Sequence, residues 1–253
     1  MEINECLHRG AIGAIGAIPG TLLAHPFDLI KIRQQVGGVH LPESARTVMA
    51  GGLYRGVAAG IAQKVTTRGP MFLLSEASTQ LVQLSTGWSR DRAIFFGSAC
   101  SGYLTGLCAA PAEWAKVQRG TAAAGGNLRL MLQRRGAVHR LHGAGLRNAV
   151  FDSTFFVTEH AARTQLGAPS ALSFGGAAAL AVAIDFPLDA AVKGSMAAGP
   201  EKLVQPPLAA TMALLRERRA NVFLGLTAKA CEFAVSYAVT GQCSAVVRGW
   251  LEG

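Results

Sequence analysis

The run Gly13-Ala-Ile-Gly16-Ala-Ile-Pro19-Gly20-Thr-Leu-Leu-Ala-His25-Pro26-Phe-Asp28-Leu-Ile-Lys31-Ile-Arg33-Gln34-Gln35 changes character at its middle. Its first half is an apolar helix whose small residues let a neighbouring helix approach closely. Pro26 removes a backbone donor and kinks the helix, and charges follow directly on one face. Asp28 and Lys31 stand three apart, so both project from the same side.

The pattern recurs. Pro111-Ala-Glu113-Trp-Ala-Lys116-Val-Gln118 follows the small-residue run Phe95-Phe-Gly97-Ser-Ala-Cys-Ser101-Gly102-Tyr-Leu-Thr-Gly106, and Pro187-Leu-Asp189 follows Phe174-Gly-Gly-Ala-Ala-Ala-Leu-Ala-Val-Ala-Ile184. The three prolines stand 85 and 76 positions apart, a period suited to a helix pair plus a connector. A Gly-rich apolar helix followed by Pro-x-acid-x-x-base, three times over, resembles the signature of the mitochondrial carrier family.

That resemblance implies an all-α membrane protein with six transmembrane helices in three pseudo-repeats. The repeats fall at residues 1–87, 88–167 and 168–253, with short amphipathic helices on the matrix side. It also implies a matrix-side gate of ion pairs between the kinked helices, carried here by Asp28, Lys31, Glu113, Lys116 and Asp189 and braced by Arg33 and Gln118. Val192 takes the place of the sixth charge, so Glu113 is expected to lack a clean partner, while Asp28 should face Lys116 and Asp189 should face Lys31. Lys193 is adjacent but about 100° around the helix. The gate at the opposite end looks eroded: Ser75-Glu76-Ala-Ser-Thr79 keeps the acid and Glu159-His-Ala-Ala-Arg163 the base. Solute contacts are implied at Gln63, at Arg147 and Asn148, and at Glu232. Tyr54-Arg55-Gly56 resembles the step that binds a lipid phosphate such as cardiolipin.

Composition agrees with helices in lipid. The 253 residues are 50% hydrophobic and 15% charged, with 30 glycines, against about 25% charged in a soluble domain. The net charge of +9 is scattered over helix ends and connectors, with no aromatic platform between, so it reads as contact with anionic head groups and solutes rather than nucleic acid. The five cysteines form no CxxC pair and read as reduced core thiols. His139-Arg-Leu-His142 lacks further ligands, so no metal site is expected, and no other cofactor is. Asp152, Asp185 and Glu232 are acids in apolar helices and must meet water or a base such as Lys64, Arg147 or Lys229. No nucleophile–base constellation or P-loop is present, which points away from an enzyme. Met1-Glu-Ile-Asn-Glu lacks a transit-peptide pattern, yet the resemblance implies a multi-pass protein of the mitochondrial inner membrane. Two functions fit: a transporter of a small metabolite, such as a carboxylate or amino acid, or a carrier fold that serves as an accessory subunit of a large inner-membrane complex.

Overall fold

The computed structural model describes residues 3–37, 40–54, 57–120, 136–197, 205–218, 223 and 225–252. Among these residues every extended regular element is an α-helix. Six are long: α1 (Ile3–Gly37), α3 (Val57–Thr86), α4 (Arg90–Gly120), α5 (Ala137–Thr164), α6 (Ser170–Ala197) and α8 (Leu226–Glu252). At 1.5 Å per residue they reach about 40–50 Å. Two are short: α2 (Leu41–Gly51), which carries Pro42 in its first turn, and α7 (Pro207–Arg218). Of the short amphipathic helices that the resemblance implies, the one expected in the connector after α4, at 127–135, lies outside the described residues.

The long helices form a closed ring in which each packs on the next, α1 on α3, α3 on α4, α4 on α5, α5 on α6, α6 on α8 and α8 back on α1. Glycine sets the spacing. A Cβ on Gly20 of α1 would stand 2.6 Å from the Ser236 carbonyl oxygen of α8, and one on Gly106 of α4 would stand 2.5 Å from that of Ala144 of α5. Both interfaces are therefore backbone-to-backbone contacts that only glycine permits. The turns joining α3 to α4 and α5 to α6 are built alike. Gly87 (φ +67°) and Gly167 (φ +61°) take the left-handed conformation just past each helix end.

Polarity is inverted relative to a water-soluble bundle. The charged side chains Lys31, Arg68, Asp189 and Glu232 are buried, while Ile15, Leu23, Phe95, Leu104 and Ile184 are exposed. Three segments are apolar and long enough to cross a membrane: Cys6–Lys31, Arg90–Pro111 and Ser170–Met196. All three belong to the helices that carry the repeated proline. The other three long helices, α3, α5 and α8, are not among these segments. Of the cysteines read as core residues only Cys6 is buried, and Cys100 and Cys108 lie exposed on the outer face of α4. Their apolar sequence neighbours face outward, so an apolar run here marks the exterior as readily as the core.

Candidate functional site

Four-residue steps along α3 and α5 place unlike chemistry in order on one helix face. On α3 the steps read Lys64, Arg68, Phe72, Glu76; on α5 they read Arg147, Phe151, Phe155, Glu159, Arg163. From Lys64 to Glu76, and from Arg147 to Glu159, the rise is about 18 Å. α8 continues the theme with Lys229, Phe233 and Tyr237, then ends it with Gly241. The interior thus has a basal charged layer, an aromatic waist and a distal charged layer.

In the basal layer Glu232 accepts hydrogen bonds from Lys31 (2.7 Å) and Lys64 (2.8 Å), and Lys31 also pairs with Asp28 of its own helix (2.8 Å). Asp189 is held by Lys193 (2.8 Å), Lys229 (2.9 Å) and Arg147 (3.3 Å). Arg147 also pairs with Glu113 (2.5 Å) and donates from its remaining nitrogens to the Asn148 side chain. Lys229 reaches Asp185 as well (3.2 Å). Five bases thus meet five acids, and this balance offsets the desolvation that burial imposes. The acids Asp185 and Glu232 meet bases as expected. Asp152 instead presses against Gly102 of α4, and its buried Oδ2 finds no partner among the described residues.

Two of the expected gate contacts are replaced. Asp189 does not face Lys31; each is satisfied from elsewhere, Lys31 by α8 and Asp189 chiefly by Lys193 and Lys229. Glu113 does not lack a partner, because Arg147 of α5 supplies the cation that position 192 does not. Val192 is instead buried among Ala110, Trp114, Ala144, Leu188 and Met196. The side chains of Lys116, Arg33, Gln118 and Gln63 lie outside the described residues, as do Arg55 and Gly56. Tyr54 is exposed and stacks on His25 at a centroid distance of 6.3 Å. Of the expected solute contacts, Arg147, Asn148 and Glu232 all lie in the basal layer, engaged with protein partners.

The waist is a knot of rings. Phe72, Phe155 and Tyr237, one from each of α3, α5 and α8, meet at centroid distances of 6.0, 4.7 and 6.5 Å. Phe156 and Phe174 close on Phe72 at 5.3 and 5.9 Å. Arg68 lies over the Tyr237 ring at 4.1 Å and donates to Thr240 Oγ1, so a buried guanidinium spans waist and helix α8.

The distal layer is richer than the sequence suggested. Glu76 takes Arg9 and Arg90, each at 3.2 Å; Glu159 takes Arg163 at 3.2 Å; His160 lies 3.2 Å from Asp91. Arg9 and Arg90 come from the starts of α1 and α4, 67 and 14 positions from Glu76 and on other helices, so a search along one helix misses them. These side chains surround a cavity of about 310 Å³ that also meets Ser75, Thr79 and Phe156. The signal that would have exposed the whole interior is the register of the stripes. Lys64, Arg147 and Lys229 stand 83 and 82 positions apart, and so do Phe72, Phe155 and Tyr237.

Among the described residues the chain is thus a closed helical ring with an apolar exterior and layered charges inside. Residues 4–85 match the family described as mitochondrial carrier protein, and the match supports this chain's membership of the mitochondrial carrier family. No curated protein matches the chain.

Proposed function

We propose that the chain is a solute carrier of the mitochondrial inner membrane, in which all six long helices span the bilayer as three pseudo-repeats (1–87, 88–167 and 168–253). The equal spacing of Lys64, Arg147 and Lys229, and of the three waist rings, supports the repeats. One observation carries the transport reading: an open charged cavity at one end of the bundle faces a closed, charge-balanced layer at the other. Alternating access needs such an asymmetry, because solute binding shifts the balance only through its different affinity for the two states. Ion pairs suit that exchange, since each base in the basal layer could trade a carboxylate of the protein for one of a solute. The family membership points to transport rather than to enzymatic chemistry. Tyr54, with Arg55 and Gly56, fits the family's lipid-phosphate step, and cardiolipin is the partner proposed there.

The waist favours a second reading. Rings from four helices fill the axis between the layers, and a carrier fold locked by neighbouring subunits needs no path there. Reconstitution in liposomes decides between them. Saturable exchange of a carboxylate, amino acid or phosphate, lost in Arg147→Ala, is the expected result. An intact bundle that exchanges none of them, and that purifies within a larger inner-membrane complex, supports the accessory reading.

A further inference from the structure

Arg147, the cation that the resemblance offers for a solute, spends four of its five donors on the protein: Nη1 serves Glu113 and Asp189, while Nε and one N–H of Nη2 serve Asn148. The distal cavity is built differently. Its carboxylates are deeply buried, with the Glu76 and Glu159 side chains 4% and 7% exposed. Its guanidinium groups are the accessible charges, Arg90 at 39% and Arg163 at 31%. Arg90 engages Glu76 through Nη2 alone, and Arg163 engages Glu159 through Nη1 alone. A guanidinium carries five N–H donors in a fixed fork, so most of this capacity is unspent among the described residues. Arg9 lines the same space, and Thr79 and Ser75 add hydroxyl groups at its wall.

Seen from the opening, the cavity therefore presents cations with their counter-charges beneath them. We infer that the distal cavity is a binding site for a small oxyanion, a dicarboxylate or phosphate, held by Arg90 and Arg163. The anion bridges the two guanidinium groups without displacing Glu76 or Glu159, because each arginine keeps its existing pair and adds new bonds through free donors. Its volume of about 310 Å³ admits such a molecule with some water. The ring of Phe156 in its lining marks the floor, where the aromatic waist begins. This makes the cavity a first station for an anionic solute, upstream of the basal layer. As a station it rests on the transport reading; as a binding site it does not.

The test is equilibrium dialysis of radiolabelled malate and of inorganic phosphate against the full-length protein in lipid nanodiscs, at fixed ionic strength. The expected result is saturable binding of at least one, weakened about tenfold in Arg90→Gln and in Arg163→Gln. Arg92→Gln removes the same charge from an exposed position that does not line the cavity, and should bind normally. Which probe binds identifies the oxyanion. Absence of binding for both, or an equal loss in Arg92→Gln, overturns the site. Should a variant fail to fold, the unaltered protein still answers: malate or phosphate should shield Arg90 and Arg163, but not Arg92, from phenylglyoxal, and unshielded Arg90 and Arg163 overturn the site. Binding without liposomal exchange leaves the site standing and removes the transport reading, whereas exchange without binding here does the reverse.

Discussion

Burying an ammonium group with no carboxylate beside it costs about 3–5 kcal/mol. That sets the expectation at Val192, where the resemblance to the carrier signature would have a base. Val192 packs against Trp114, Leu188 and Met196, and Glu113 is already paired with Arg147. Val192→Lys should therefore destabilise the protein by roughly that amount, seen as a lower melting temperature in detergent or nanodiscs. A rise would mean that Glu113 prefers a base from α6. Of the residues that the resemblance marks, Asp28, Lys31, Glu113 and Asp189 all lie in the basal layer. Their partners were not legible in the sequence, because Glu232 is 201 positions from Lys31 and Arg147 is 34 from Glu113. Pairing across a ring depends on helix rotation and side-chain reach, which a one-dimensional pattern does not contain.

At the scale of the element, the helix ends and small-residue faces were the most readable features. The spacing Gly13, Gly16, Gly20 already implies close approach, and the ring supplies the partners, Arg68, Thr240 and Ser236. The stripes on α3 and α5 were harder to see, because charged residues at both ends of each stripe (Lys64, Arg68 and Glu76; Arg147, Glu159 and Arg163) lower the hydropathy of these helices and hide them as spans. Glycine substitutions separate the packed faces from the open ones. Gly20→Ala and Gly106→Ala each force a methyl against a backbone carbonyl, and should cost about 1–3 kcal/mol. Gly176→Ala meets nothing within 4 Å and should leave thermal unfolding unchanged or slightly raise its midpoint. Equal effects at all three positions would refute the helix contacts described for α1 with α8 and α4 with α5.

For the whole molecule, the decisive property is that its polar groups point inward. Cys100 sits in the middle of the apolar segment Arg90–Pro111 and is exposed on its outer face. A membrane-impermeant maleimide should therefore leave Cys100 unlabelled in liposomes and label it after denaturation in SDS, with labelling read by mass spectrometry. Rapid labelling in intact liposomes would place this face against water and refute the proposed span. Closure of the ring was not predictable from any one repeat, since the contact of α8 with α1 joins the two ends of the chain.

The aromatic waist has an electrical consequence. A bundle with charged groups at both ends and polar walls would, if water ran through its axis, offer protons a hydrogen-bonded wire across the bilayer. Five rings stand at the waist between the charged layers, and Tyr237, the ring with a hydroxyl, donates it to the Met71 sulfur (3.5 Å). In the proposed span the waist would act as a dielectric break, with the two charged layers rearranging at their own ends while the membrane between them keeps its voltage.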